Sequence, residues 1–557
     1  VESVAWISEI KNTQSTFFYL LALQSYLRFG EDCDAAPGKR PERRAALAYG
    51  LSTFFFTAGL FTKTVVCTMP VTALVLRTFK RRRWSWREVA YLAPFVFVGA
   101  AFGLRTASWE KYLIGALGPD WQLSFIQRMN IAGRAIGFYV GKLLWPHPLA
   151  FLYPRWTIPP AGLRSVLPSA AVSGLLALLW AGRRRLTPAP FTAFTLFILI
   201  LGPALGFVNI FPMKFSFVAD HFQYAAGIAL IALAAAAIDR GLDRVSTYPD
   251  RWKTLVTVVL GLGLGTLTWR RAHAYRDAET LWTDTVAKNP GCMVAQVNLG
   301  ERLLERGDVA QARPHLVEGL RLKPNDVTSL LAMADLTLNY DKDPDGAMLY
   351  LRRALDTAEA VESSRDRMEM TMYIHTFMAG ADRMAHRDAD ALDQYQLALR
   401  DVQEMKKQPY FDATTEALLA LEIECRGAIG ELLVEKGKPR DAIPYLEEAM
   451  RLAPKQADLA AQYGVALEAV GQNARAMEEY ERSLKLDANT WLARLRLADL
   501  LRRSGRIDDA IAQYRTIVEF NPDYQAARNT LAQLLMGENR RAEAVQVYQA
   551  GINLHAK

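Results

Sequence analysis

Apolar runs separated by short basic loops fill the chain up to about residue 269, and a charged, Ala- and Leu-rich pattern follows. The runs predict membrane-spanning helices, although several are shorter than the roughly 20 residues needed to cross hydrocarbon. Small residues recur within them, which favours tight helix packing. We predict about eight spans, at residues 4–28, 45–62, 65–79, 89–104, 164–182, 191–208, 218–238 and 252–269.

The apolar run at 123–145 needs a different interpretation, because it carries Arg128, Arg134 and Lys142 and charge is costly in lipid. Basic loops such as 80–83 indicate which side faces the cytoplasm. With these loops inside, both ends of the run lie outside, which predicts an interfacial or re-entrant helix. The start of the chain and the whole part after the last span are then extracytoplasmic.

The part after the last span repeats with a fixed period. Ala442, Ala476, Ala510 and Ala544 are each 34 residues apart, and a small residue stands 12 positions before each of them. This spacing is typical of tetratricopeptide (TPR) repeats, whereas an ordinary helical bundle would not keep the register. We therefore predict an all-α chain: a polytopic membrane domain over 1–269 and a TPR α-solenoid of about seven units after it.

A TPR solenoid offers an extended surface for a protein or peptide, so binding is the expected role of this part. Asn298, Arg494 and Arg528 lie on first helices of their units, which usually line the concave face. They are candidates for the binding groove. The alternative is that each is a solvated surface residue without a function.

The net charge of +8 does not indicate a nucleic-acid partner, because the basic residues concentrate in loops between apolar runs. The four cysteines form no C-x-x-C pair, and none has a histidine at ligand spacing. The sequence therefore predicts no metal site.

Polar side chains gather at the outer ends of the predicted spans. Several cations with a few carboxylates at one membrane face suit a phosphate-bearing lipid. Solvation at the interface, or ion pairing between helix ends, would give the same pattern, and these alternatives stay open. The residues are Glu2, Glu9, Lys11, Lys63, Asp220 and His221, together with the three cations of the 123–145 run.

Five segments carry a resemblance to a known family: VESVAWISEIKN, LFTKTVVCTMP, GKLLWPHPLAFLYPRW, SFVADHFQYAAGIAL and WRRAHAYRDAETLWTDTVAKNP. They resemble bacterial relatives of the transmembrane and TPR O-mannosyltransferases. The resemblance implies a glycosyltransferase of the type C fold in the bacterial inner membrane. Such an enzyme would transfer mannose or another hexose from a polyprenyl phosphate to protein hydroxyls at the extracytoplasmic face, with the TPRs binding the acceptor or a partner.

The resemblance also carries over to single positions. His221 stands where relatives often have arginine, which weakens its assignment to phosphate. The positions that match family motifs are Glu2, Lys63, Lys142, Tyr153, Asp220 and Tyr224. Beyond the lipid-linked sugar, the resemblance implies no cofactor; it leaves room for a divalent metal, but no ligand cluster in the sequence supports one.

The largest departure from the family lies before the first residue. The family carries there a first span and an outer loop with the acidic residues thought to be catalytic, and this sequence starts at Val1. We therefore expect an N-terminally truncated chain, and we assign no catalytic residue.

The competing hypothesis is a non-catalytic, membrane-anchored scaffold whose TPRs assemble envelope proteins. A transporter fits less well, because the spans show no internal duplication.

Overall fold

The structure is a computed structural model, and it divides into two compact units, Val1–Leu322 and Lys323–Lys557. The sequence predicts that the membrane domain ends at residue 269. That boundary separates membrane-spanning from other residues, which is a different division, and it stays a prediction. The described residues are 9–35, 43–79, 86–112, 114–116, 118–160, 162–185, 187–245, 247–361, 364–408 and 416–555.

Helices account for most of the described part of the first unit. They are α1 (Ile10–Ala35), α2 (Arg43–Thr62), α3 (Met69–Phe79), α4 (Trp86–Tyr112), α5 (Phe125–Leu144), α6 (Leu163–Gly182), α7 (Ala189–Leu201), α8 (Gly227–Val245), α9 (Pro249–His273), α10 (Ala278–Lys288), α11 (Met293–Glu305) and α12 (Val309–Leu322). Helix α1 packs along α2 and α3. Buried aromatic rings fill the space between the first four helices, with Tyr26, Phe56 and Phe95 almost fully enclosed.

Four helices in the described part of the chain are long and apolar enough to cross a membrane, judged by length and composition. They are Arg43–Thr62, Ala90–Tyr112, Leu163–Gly182 and Pro249–His273. Two shorter apolar helical stretches, Thr64–Phe79 and Ala189–Ala204, accompany them. The prediction of about eight spans is thus met for four helices by this criterion, and the remaining spans stay predictions.

Helix α5 occupies the run that was too charged for a simple span. Ser124 caps its start in a capping box with Gln127. One face is buried against α6, where Gly133 meets the backbone of Pro168 and Ser169 so closely that a Cβ would collide with it. The helix is therefore partly integrated into the helical core, and its interfacial position stays a prediction.

The span predicted at 218–238 begins later than expected. Residues Asp220–Gln223 form a single 3₁₀ turn, and α8 starts only at Gly227. Asp220 contributes to the difference, because its side chain accepts a hydrogen bond from Tyr153 in a distant segment, and His221 lines a cavity. This irregular segment brings polar groups to the cavity described below.

The second unit continues as helix pairs. Its helices are α13 (Val327–Asp335, extended by a π turn at Leu336–Tyr340), α14 (Pro344–Glu359), α15 (Ser364–Met384), α16 (Asp388–Lys406), α17 (Glu416–Glu435), α18 (Pro439–Leu452), α19 (Ala457–Ala469), α20 (Asn473–Leu486), α21 (Trp491–Arg503), α22 (Ile507–Phe520), α23 (Gln525–Gly537) and α24 (Arg541–His555). With α11 and α12, they make seven helix pairs in succession within the described residues. The predicted TPR pattern is confirmed.

Two local rules explain the repeat. First, a small residue on the first helix faces a large side chain 16 positions later, as Gly464 faces Tyr480, whose ring would have to shift to admit a Cβ. Second, each turn between paired helices holds one residue in the left-handed conformation, which favours glycine. These turn residues are Gly307, Lys342, His386, Gly437, Gly471, Gly505 and Asn539.

Candidate functional site

The main cavity of the first unit has a volume of about 780 Å³. The start of α1, the ends of α2 and α4, and the irregular segments around residues 203–212 and 221–225 line it. Its walls are largely apolar, with Phe61, Phe102 and Ile200 among them, and its polar groups gather in a few places. A concave apolar site with a few converging polar groups is the usual form of a ligand site.

One cluster of polar side chains in the cavity surrounds Glu9. This carboxylate lies 3.2 Å from Lys11 Nζ and 4.0 Å from Lys63 Nζ. Asn12 joins them, because it donates to Glu9 and accepts from Lys63. Glu9 and Asn12 are one helical turn apart at the start of α1, and Lys63 follows the end of α2 directly. The fold therefore brings together three residues that the sequence placed at the outer face: Glu9, Lys11 and Lys63.

The segment from His221 to Ala225 forms another part of the cavity wall. His221 and Tyr224 line the cavity. Asp220 instead accepts a hydrogen bond of 2.8 Å from the hydroxyl of Tyr153. Burial, reinforced by the negative charge of Asp220, raises the pKa of Tyr153, so the phenol stays protonated and remains a donor.

The three cations of the 123–145 run do not line this cavity. Arg128 donates to Gly206 O at 2.7 Å and to Asn209 Oδ1 at 2.8 Å, and Arg134 stacks 4.4 Å from the centre of the Trp156 ring. These contacts tie neighbouring segments together.

Lys142 lies over the ring of Tyr153 and donates to the carbonyl of Pro148. Burial lowers the pKa of Lys142, and the nearby Asp220 partly offsets this. Lys142 thus contacts the loop beside the cavity at two points, Pro148 and Tyr153. The assignment of these cations to a donor phosphate remains a prediction, and Glu2 lies outside the described residues.

The end of α4 supplies three cavity residues that the sequence reasoning missed. Arg105 stacks 4.7 Å from the centre of the Trp109 ring, and Glu110 accepts a hydrogen bond of 2.8 Å from the amide of Phe211. The predicted span ended at Leu104, so these residues were excluded from it. The four-residue spacing of Arg105 and Trp109, which puts both on one helical face, was the available signal.

Two of the three groove candidates, Arg494 and Arg528, make contacts beyond their own helices, and Arg494 also lines the first groove described below. Arg494 donates to the carbonyl of Ala488 at 2.6 Å and to Gln513 at 2.9 Å. Arg528, one repeat later, donates to the carbonyl of Pro522. Asn298 donates to Val294 O within its own helix at 2.8 Å. All three make internal backbone contacts, and their role in binding stays a prediction.

Grooves in the array recur at the repeat spacing. One groove of about 370 Å³ is lined by α20, α21 and α22, and its charged residues include Glu481, Lys485, Arg506 and Asp509. A second groove of about 250 Å³ lies one repeat later. Each of its seven lining residues is 34 positions after a lining residue of the first.

Metal ligands do not cluster in the described part of the chain: no group of three or more His, Cys, Asp or Glu side chains there could hold an ion.

Comparisons with known families match the helical repeats. Two TPR family models match, one at residues 469–523 and 501–557 and the other at 262–327. A model described as a bacterial transcriptional activator domain matches residues 390–488, whose described part consists of helices α16 to α20 of the same array.

Known proteins are similar to parts of the chain. Cellulose synthase 1 operon protein C of Komagataeibacter xylinus is 29% identical over 133 residues, which are 22% of this chain and 10% of that protein. The solved structure of PilF from Pseudomonas aeruginosa is 17% identical, covers 43% of this chain and 97% of its own, and has a TM-score of 0.36. YrrB, described as a TPR protein with an unusual peptide-binding site, is 16% identical, covers 39% and 96%, and has a TM-score of 0.30.

Proposed function

We propose that the protein is a membrane-anchored scaffold whose TPR array binds a protein or peptide. The observation that carries this proposal is the groove that recurs between successive helix pairs with equivalent lining residues. Grooves at equivalent positions present contacts at regular intervals, which suits an extended polypeptide. The charges differ between the two, because Arg515 and Glu519 stand in the second groove where Glu481 and Lys485 stand in the first. The matches to TPR families support the same conclusion.

The membrane anchor is supported by helices whose apolar faces have no protein cover. In the most apolar part of Pro249–His273 none of the residues is buried, and Val258, Val259 and Leu262 are all exposed. An apolar helix of 25 residues with such a surface is expected to lie in lipid. The array that follows would then be held close to the membrane surface.

The charges of the first groove suggest what a partner offers. Glu481 and Asp509 stand beside the cations Lys485, Arg494 and Arg506, so the groove is strongly polar and carries charges of both signs. A segment with charges of both signs would pair with it, and such pairing fixes specificity and register more than affinity. The partner we expect is a polar peptide segment of an envelope protein.

The experiment is isolation of the whole protein from membranes with quantitative mass spectrometry of the proteins that accompany it. Lys485→Glu together with Arg506→Glu should reduce the recovery of the specific partner at least tenfold, because it reverses two of the three cations of the groove. Arg451→Glu, on an exposed part of α18, is the matched control. Equal recovery from the groove variant and the control would contradict the scaffold function.

The cavity of the first unit favours a second candidate function, sugar transfer from a lipid-linked donor. An acceptor hydroxyl would attack the anomeric carbon, the phosphate would leave with the bonding electrons, and a carboxylate would take the hydroxyl proton. Lys11, Lys63 and Arg105 are cations that line the cavity and would stabilise the departing phosphate. The apolar walls suit the polyprenyl chain.

This second function is tested by measuring sugar transfer to protein by the whole protein. Lys63→Ala should lower the rate by about a hundredfold if the cation stabilises the leaving group. Lys253→Ala, on a residue that pairs with Asp239 and Asp243 away from the cavity, is the control. Identical rates in both variants would remove the assignment.

A further inference from the structure

Helix α10 and the residues on either side of it make contacts that the repeat pattern does not require. We call residues 271–289, which include α10, the clamp, and residues 145–160 the neighbouring loop. Phe151 of the loop packs edge-on against Trp282 at 5.5 Å and Tyr275 at 6.3 Å between ring centres. Asn289, at the end of α10, donates 3.2 Å to the carbonyl of Leu152.

Within the clamp, the last turn of α9 is tied to α10. Arg271 is almost fully buried and donates to Asp284 of α10 at 2.5 Å. The second terminal nitrogen of Arg271, Nη2, donates to the hydroxyl of Tyr275 at 3.2 Å. Lys288 makes a further ion pair with Asp284 at 2.6 Å. A buried, doubly engaged guanidinium fixes the direction in which α10 leaves α9.

The loop in turn contacts the cavity wall. Tyr153 lies two residues after Phe151, is almost fully buried, and donates to Asp220 at 2.8 Å. Asp220 begins the 3₁₀ turn whose next residues, His221 and Phe222, line the cavity. The amide of Ala219, just before it, donates to the hydroxyl of Tyr139 at 3.0 Å. Side-chain contacts from outside the turn therefore fix it at its start.

These contacts form one connected series from the first repeat helix to the cavity. We propose that the clamp is a positioning element for the cavity wall: by holding the loop through Phe151 and Leu152, it keeps Tyr153 on Asp220 and the 3₁₀ turn in place. Asn289 and Phe151 are positioning residues in this scheme. The inference concerns the cavity and does not depend on the scaffold function.

The consequence is a link, within the first unit, between α10 and the cavity. A partner that displaced the clamp from the loop would release the cavity wall. Coupling of this kind is carried by contiguous packed side chains and hydrogen bonds. The 3₁₀ turn is the element that would respond, because it is only four residues long and 3₁₀ hydrogen bonds have poorer geometry than those of an α-helix.

Hydrogen exchange with mass spectrometry tests the proposal on the whole protein in detergent or lipid nanodiscs. Asn289→Ala removes one cross-segment hydrogen bond and should speed exchange of residues 219–226 about fivefold. Asn298→Ala is the matched control, since it removes an asparagine bond to a carbonyl within α11. Phe151→Leu should speed the same segment about threefold, and Trp491→Leu, in an aromatic pair of the array, should not.

The results separate cleanly. Faster exchange at 219–226 in the Asn289 and Phe151 variants, with α18 to α24 unchanged, supports the positioning role. Unchanged exchange at 219–226, an equal effect of Asn298→Ala, or faster exchange throughout the first unit would overturn it. The last outcome would mean that the contacts stabilise the unit as a whole and do not position the wall.

Discussion

The TPR array and the cavity region differ in how far along the chain their polar contacts reach. In the array, the described polar contacts stay within neighbouring helix pairs, from Arg451 with Glu448 three residues away to Arg383 with Glu431 48 residues away. Around the cavity, Lys63 contacts Asn12 across 51 residues, and the carboxylate of Glu110 contacts the amide of Phe211 across 101 residues. The array is built from local rules, and the cavity requires the complete fold of its unit.

This difference has an energetic meaning. In a repeat array each unit contacts its neighbours only, so stability is roughly a sum of similar terms and single changes act locally. In the cavity region one side chain joins segments that no local rule brings together, as Arg128 joins α5 to the carbonyl of Gly206. We therefore expect equivalent substitutions to cost more there.

The largest expected effect compares two glycines. Gly133→Ala should destabilise the first unit by about 3 kcal/mol, because its Cβ would collide with the backbone of Pro168 and Ser169. Gly464→Ala should cost less than about 1 kcal/mol, because the array already places Ala498 opposite Tyr514 at the same register. Denaturant or thermal unfolding of each variant measures the difference. Equal costs would contradict the contrast between the regions.

A smaller effect is expected at a buried ion pair of the array. Glu422 is almost fully buried and contacts Lys406 at 2.6 Å and Arg426 at 2.8 Å. Burial alone would raise the pKa of Glu422, but hydrogen bonds and charge from the two cations lower it below the ordinary value of 4.5. Glu422→Gln should lower the free energy of unfolding at pH 7 by about 2 kcal/mol.

The sign of the pH dependence follows from the lowered pKa. The contribution of Glu422 is complete above the unfolded-chain value near 4.5 and is lost as pH falls through the lower folded value. Glu479 is the control, because burial raises its pKa and acidification should relieve its cost. When unfolding is measured from pH 7 to pH 3, the free energy of unfolding should fall less on acidification for Glu422→Gln than for the unchanged protein. An unchanged profile would argue against the ion pair.

The turns of the array give a still smaller, two-sided test. Gly505 has φ of 80° and Lys342 has φ of 58°, so both adopt the left-handed conformation. Gly505→Ala should cost about 1 kcal/mol, whereas Lys342→Gly should gain up to about 1 kcal/mol. Thermal unfolding of the two variants in parallel checks the opposite signs. A gain from Gly505→Ala would show that the turn geometry is wrong.

The smallest effect should come from exposed pairs of the array. Arg451→Ala removes a pair with Glu448 on the solvent side and should leave the unfolding midpoint unchanged within error. A clear loss of stability would mean that this face is covered by another part of the protein or by a partner.

The two regions also differ in how much of them the sequence predicts. The 34-residue spacing of Ala442, Ala476 and Ala510 indicates helix pairs, because each pair obeys the same packing rule. The cavity could be predicted only in part. Charge orientation placed Glu9 and Lys63 on one face, and the fold brings them together.

Other cavity features depend on long-range contacts that sequence patterns do not contain. Arg128 and Lys142 look like ligand-binding cations in the sequence, but backbone carbonyls of distant or irregular segments receive their hydrogen bonds. Arg105 and Glu110 were missed because the apolar run ends before them. The irregular start of the segment before α8 likewise follows from partners that lie elsewhere, such as Tyr153.

The most direct test of the central claim, that the array holds a protein partner in its recurring groove, is site-specific photocrosslinking. The photoreactive amino acid would replace Lys485 in the groove or Glu478 on an exposed part of α20, in the whole protein in its native membrane. The account predicts a discrete crosslinked species from position 485 that weakens with Arg506→Glu, and none from position 478. The same products from both positions, or no product at 485, would contradict it.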